Sequence, residues 1–349
     1  RIFEKASLNM AWYNRLVENR EVIAEQLDAM AYIMEDCAKK QKNITEECRS
    51  NLQDIAYRAR ERGIKVIDEQ LWEKENGRWQ LVMKVMVKDG CVTTRELTKA
   101  VAGALNRRMI PEKDTKTLIG KGVNLYTYEE EPRFQAIYGV ARMVKDGAAV
   151  SGDNFSFLEP ESGKMVMCLS DGMGSGSLAC KESEMVIELV EKFLEAGFDV
   201  ETAARMMNSA MVMKGQEDLF STVDISELDL YDGTCRFYKI GAAATFIRRN
   251  GIVECLISTS LPVGVSYKLD MEKSEKDLYN GDFLVMVSDG VLEYLHVPNP
   301  EETMQEIIES IETNNATILA KRILERVLLF TGGKAADDMT VLATAIWEK

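Results

Sequence analysis

Two apolar runs in this chain end in the same three residues. Val166-Met167-Cys168-Leu169 leads into Ser170-Asp171-Gly172, and Val285-Met286-Val287 leads into Ser288-Asp289-Gly290. A third acidic element, Asp337-Asp338-Met339-Thr340, opens the last apolar run, Val341 to Trp347. Each run reads as a buried strand with a carboxylate at its end. Three such carboxylates, far apart in sequence, can converge at one edge of a sheet and hold hard divalent cations through oxygen. Asp-Gly alone is a common turn pair. Two strand-Ser-Asp-Gly units together with a strand-opening Asp-Asp point beyond turns, and the glycine leaves room for a backbone carbonyl to approach a metal. An oxygen-only site of this kind favours Mg²⁺ or Mn²⁺ over zinc or copper.

The rest of the composition narrows the function classes. With 349 residues and a 46% apolar fraction, the chain can build one large core or two ordinary ones. Its net charge of −14 argues against a nucleic-acid partner, because phosphate backbones need a basic surface. The seven cysteines are odd in number and form no Cys-x-x-Cys pair, which suits free thiols in a reducing, cytoplasmic compartment and no zinc site. A lone histidine, His296, excludes any mechanism built on several. There is no signal peptide and no apolar run long enough to span a bilayer. The chain opens on Arg1, so it reads as part of a longer protein whose membrane anchor, if it has one, lies outside this chain.

Three regions follow from the patterning. Residues 1–62 read as helical, with Leu16, Ile23, Met30 and Cys37 seven apart and Leu27 and Met34 at the complementary positions. Such a stripe packs on its own domain or joins two copies of the chain in a homodimer. Residues 63–133 read as a small α+β region: strands Val66 to Trp72 and Trp79 to Val87 joined at Asn76-Gly77, a helix from Thr93 to Arg107 opened by a Thr93/Glu96 capping box, and a strand from Leu118 to Tyr128. From 134 to 349 the order is mostly strands with helices in pairs, at about Leu178 to Ala196 with Val200 to Met213, and Glu301 to Glu312 with Ala316 to Phe330. Antiparallel hairpins with paired helices predict sheets flanked by helices, not a wound parallel sheet.

Gly172-Met173-Gly174-Ser175-Gly176 runs into the first of these helices. With Asp171 in front it also fits the Asp-x-Gly-x-Gly string of S-adenosylmethionine methyltransferases. That reading needs a parallel βαβ unit, where here a second helix follows, and it leaves Asp289 and Asp337 idle. A catalytically dead binding scaffold is the other alternative, and the intact acids argue against it.

An ordered set of strings carries a resemblance. Ser151-Gly152-Asp153-Asn154-Phe155-Ser156, Ser170-Asp171-Gly172-Met173-Gly174-Ser175-Gly176, Phe220-Ser221-Thr222-Val223-Asp224, Ile240-Gly241-Ala242-Ala243, Leu261-Pro262-Val263-Gly264, Ser288-Asp289-Gly290 and Asp337-Asp338-Met339-Thr340 follow one another as in the PPM-type metal-dependent serine/threonine phosphatases. Within that family the chain most resembles the bacterial sporulation phosphatases. The resemblance implies an α+β fold: a β-sandwich of two antiparallel sheets flanked by helix pairs, preceded by a regulatory segment. It implies two Mn²⁺ or Mg²⁺ ions, bridged by Asp171, with the Gly172 carbonyl on one and Asp289 and Asp337 on the other. Asp153 is expected nearby, as a ligand or through water, and Asp338 behind the ligands. It further implies hydrolysis of a phosphoserine by in-line attack of a metal-activated water, on a phosphorylated anti-anti-sigma protein in sporulation signalling. Eukaryotic members carry a histidine where this chain has Met173, so the leaving-group acid is left open.

Overall fold

The computed structural model describes residues 31, 46–73, 77–112, 115–160, 163–174, 176–213, 220–266, 268–330, 332–335 and 337–349. The heptad-like stripe between Leu16 and Cys37, and with it the expected dimer helix, lies outside the described residues. So do Asn76 of the first hairpin and Ser175 of the glycine-rich loop. The chain divides into two compact units, with the boundary between Pro132 and Arg133.

The smaller unit contains α1 (Glu46–Glu61), β1 (Ile64–Glu73), β2 (Trp79–Val87), β3 (Val92–Thr93), α2 (Thr94–Leu105), β4 (Met109–Pro111), β5 (Leu118–Ile119) and β6 (Asn124–Glu130). Its antiparallel sheet runs β1-β2-β6-β4. Leu81, Met83 and Val85 of β2 alternate inward and meet Tyr126 and Tyr128 of β6, Ile55 and Ala59 of α1, and Leu97 and Val101 of α2 in one core. The division expected at residue 62 therefore falls inside a single core. Two local expectations need correction. Thr93 does occupy the position before α2, but its side chain makes no cap. It is committed instead to the β3–β5 pair, and the neighbouring Thr94 N–H is taken up by the Thr117 carbonyl at 2.9 Å. The strand expected from Leu118 to Tyr128 is two strands. β5 pairs with β3 and β6 with β2, and the chain changes direction at Gly120 to Gly122.

The larger unit holds β7 (Phe134–Met143), β8 (Asp153–Leu158), β9 (Lys164–Gly172), α3 (Ser177–Glu195), α4 (Val200–Met213), β10 (Ser221–Asp229), β11 (Thr234–Ile240), β12 (Thr245–Arg249), β13 (Ile252–Leu256), β14 (Glu272–Asp277), β15 (Phe283–Val287), α5 (Asp289–Glu293), α6 (Pro300–Glu309), α7 (Ala316–Phe330) and β16 (Met339–Glu348). Two five-stranded antiparallel sheets result, β14-β11-β10-β9-β8 and β13-β12-β15-β16-β7. Met165, Met167 and Leu169 of β9 face Leu284, Met286 and Leu342 of the other sheet across the middle of the sandwich. Val166 and Cys168, on the other face of β9, pack under Val186 and Val190 of α3 and Met207 of α4. Val285, Val287 and Val341 pack likewise under Ile307 and Ile308 of α6 and Ile323 of α7. Strands buried on both faces must be apolar at every position, which is why β9 and β15 read as unbroken runs instead of alternating ones. β14 escaped the sequence reading for the opposite reason. Its Glu-Lys-Ser-Glu-Lys-Asp lies mostly in solvent at a sheet edge, where charge blocks pairing with other chains.

Candidate active site

The two Ser-Asp-Gly strings end side by side but differ in local conformation. Asp171 is still within β9, opposite Asp153 of β8 and Thr222 of β10 in register. Ser221 fastens this strand end: its hydroxyl donates to the Asp171 carbonyl at 2.6 Å and lies 2.8 Å from the Ser170 hydroxyl. Gly172 abuts the start of α3 so closely that a Cβ there would lie 2.1 Å from the Ala179 carbonyl oxygen. Asp289, by contrast, lies two residues past the end of β15, in the first turn of the short helix α5. The turn forms because Ser288 leaves the ladder's end with its hydroxyl accepting the Thr340 N–H at 2.9 Å, while its own N–H donates to the Thr340 carbonyl at 3.0 Å. Gly290 is pressed on the segment that leads into β16, where a Cβ would meet the Asp338 carbonyl oxygen at 2.2 Å.

Asp337 and Asp338 precede β16 and do different things. Asp338 is buried, and its two oxygens accept the Lys145 and Gly152 N–H groups at 2.9 and 2.7 Å. It ties the β7–β8 connection to the end of β16. Asp337 is half-buried; its Oδ1 accepts the Asp338 N–H at 3.0 Å and lies 3.6 Å from the Lys145 ammonium. Asp153, the first residue of β8, is wholly buried. Its carbonyl takes a hydrogen bond from the Arg142 guanidinium, yet neither carboxylate oxygen has a donor in hydrogen-bonding geometry. The Thr340 and Ser288 hydroxyls stand close enough only to moderate its acidity.

These positions make the site strongly acid-crowded. Burial pushes the Asp171 carboxyl up to about 11, and the adjoining Asp289 and Asp153 push it in the same direction. Burial also raises Asp153, with the Asp289 charge adding to it. Like charges facing each other across a ladder are destabilising unless a proton or a cation intervenes. A cleft of about 270 Å³ opens over this cluster, lined by Asp171, Gly172, Asp289, Asp337 and Asp338 together with Met173, Phe220, Pro262 and Lys145. Among the described residues no three of these side chains already close round one point as a finished ligand shell. The donor set nevertheless fits hard divalent cations: it is all oxygen, it contains no His or Cys, and it includes a buried carboxylate with both oxygens unpartnered. Met173, at the position of the eukaryotic histidine, is exposed and offers no proton. Sequence reasoning missed Lys145, a single basic residue in a turn, which carried no motif.

A family profile described as stage II sporulation protein E (SpoIIE) matches residues 161–346. The chain belongs to the SpoIIE family. It is 28% identical over 333 residues to stage II sporulation protein E of Bacillus subtilis (strain 168), which covers 95% of this chain and 40% of that protein. A solved structure of the PP2C phosphatase domain and a fragment of the regulatory domain of SpoIIE from Bacillus subtilis superposes with a TM-score of 0.66 at 28% identity, covering 95% of this chain and 98% of that one. A shorter stretch, 86 residues or 25% of this chain, is 35% identical to the phosphoserine phosphatase RsbX of the same organism and covers 41% of it. The sandwich with its helix pairs is thus the PPM phosphatase fold, close to SpoIIE. Among the described residues no helix is long and apolar enough to cross a membrane.

Proposed function

We propose that this chain hydrolyses phosphoserine or phosphothreonine on a protein, with two divalent cations held by the acid cluster. The observation that carries this reading is the register of Asp153 against Asp171: Asp171 and Asp289 line the cleft and the wholly buried Asp153 crowds Asp171 from behind, a repulsion that a cation would relieve. Asp171, the Gly172 carbonyl, Asp289 and Asp337 are the groups that would hold the ions, with Asp153 beside them. When bound, the cations supply charge neutralisation at the phosphoryl oxygens and a more acidic water. The protein's own contribution is position. Asp171 is fixed by two neighbouring strands and Ser221, Asp289 by the Ser288–Thr340 bonds, and Asp338 holds the β7–β8 connection against them. Gly172 and Gly290 allow the elements behind the acids to close up.

Membership of the SpoIIE family supports a phosphoserine on an anti-anti-sigma protein as the natural substrate, and the resemblance of one segment to a phosphoserine phosphatase supports the same residue class. An open cleft also suits a folded protein substrate, whose own surface supplies orientation. The test is a comparison of kcat/KM for a serine-phosphorylated anti-anti-sigma protein and an unrelated phosphoprotein with Mn²⁺ present. Strong preference for the first is expected. Equal values would remove the specificity claim and leave the phosphatase reading intact.

A further inference from the structure

Among the described residues that line the cleft, Lys145 carries the one positive charge, beside Asp171, Asp289, Asp337 and Asp338. Its backbone and side chain are held very differently. The backbone N–H donates to Asp338 Oδ1 at 2.9 Å, and the same carboxylate takes the Gly152 N–H at 2.7 Å, so the Lys145 Cα is fixed to the floor of the site. The side chain is 36% exposed, and its ammonium stands 3.6 Å from Asp337 Oδ1, an ion-pair distance longer than a good charge-assisted hydrogen bond. A lysine with a pinned root and a loosely held head can turn within the cleft without any backbone movement.

Resting on the phosphatase reading, we propose that Lys145 is the side chain that binds the substrate's phosphate, turning to it from Asp337. A phosphate monoester dianion entering a cleft lined by four carboxylates is repelled unless positive charge faces it. With the acids holding cations, this repulsion would fall and Asp337, engaged elsewhere, would no longer pair with Lys145. The ammonium is then unpaired at the cleft wall, and a phosphoryl oxygen is the strongest acceptor available to it. On this account Asp337 parks the lysine until the acids are occupied.

The test compares wild type with Lys145→Met, which keeps the length and removes the charge, and Lys145→Arg, which keeps the charge. Inorganic phosphate is the probe, with binding to the Mn²⁺-loaded full chain measured by calorimetry. Free Mn²⁺ is followed separately by electron paramagnetic resonance. The expected result is about tenfold weaker phosphate binding in Lys145→Met, the loss of one partly exposed charged hydrogen bond, with largely restored binding in Lys145→Arg and Mn²⁺ affinity equal to or tighter than wild type. Unchanged phosphate affinity in Lys145→Met overturns the proposal, as does weaker Mn²⁺ binding that accounts for the whole phosphate loss. A wild-type chain that releases no phosphate from any phosphoprotein, while binding Mn²⁺, fails the phosphatase reading instead.

Discussion

Replacing Asp171 by Asn should make the cation-free protein more stable while destroying its activity. The folded state holds this carboxyl far above its ordinary value of 3.8, through burial and then through Asp289 and Asp153. At pH 7.5 the unfolded chain has lost that proton, and the folded chain must either keep it or endure the repulsion. Keeping a proton nearly four pH units above the unfolded pKa costs at most about 5 kcal/mol. Asp171 retains some access to water and shares its burden with two neighbours, so about 1–3 kcal/mol is the expected gain. The sign has a definite pH signature. Below about pH 4 both states are protonated and the variant gains nothing. Its advantage grows as the pH rises from there towards the folded pKa. The chain has two compact units, so one melting temperature would mix them. Hydrogen exchange of the β8–β10 amides in EDTA, across pH 5 to 8, reports the relevant unit alone. An Asp171→Asn protein that is no more stable than wild type at pH 7.5, or whose advantage is independent of pH, would refute the crowding argument.

Further outcomes follow from the same geometry. Mn²⁺ at about a hundred times its Kd should protect wild type by about 2.7 kcal/mol, and this protection should fall sharply in Asp289→Asn and Asp337→Asn, read as the Mn²⁺-induced shift in exchange or melting. Gly172→Ala should lower activity by at least tenfold, because its methyl would meet the Ala179 carbonyl and push α3 off the site; turnover together with circular dichroism would show whether the fold survives. Asp338→Ala should cost about 1–3 kcal/mol by leaving the buried Gly152 N–H and the partly buried Lys145 N–H unpaired, with proteolysis between β7 and β8 as the readout. If residues 1–132 regulate the enzyme, removing them should move the midpoint of an Mn²⁺ activity titration, and identical titrations would deny them that role.

Much of this was legible from the sequence because burial on both faces leaves a strong signature. β9, β15 and β16 stand out as apolar runs, and their flanking acids stand out against them. The helix pairs were equally plain, with α4 and α7 running over the expected residues. Patterning said less where contacts are made by backbone or at an edge. The capping box at Thr93 looked sound locally, but a distant strand had already claimed that residue. Asp289 reads from the sequence as a strand-end residue like Asp171, and the Ser288–Thr340 bonds, between residues 52 apart, turn it into the start of a helix instead. The facing of Asp153 and Asp171 is a matter of register, which no single string contains. Lys145 is defined by the space around it and carries no pattern at all.

Phosphate release from a serine-phosphorylated protein, measured against Mn²⁺ concentration for wild type and for Asp171→Asn, bears most directly on the central claim. The account predicts saturable release that requires Mn²⁺ and is abolished by EDTA in wild type, and release at least a thousandfold slower in a folded Asp171→Asn protein, in keeping with the ~10²¹-fold reach of enzymes on phosphate monoesters. Release that persists in EDTA, or comparable rates in the two proteins, would contradict it.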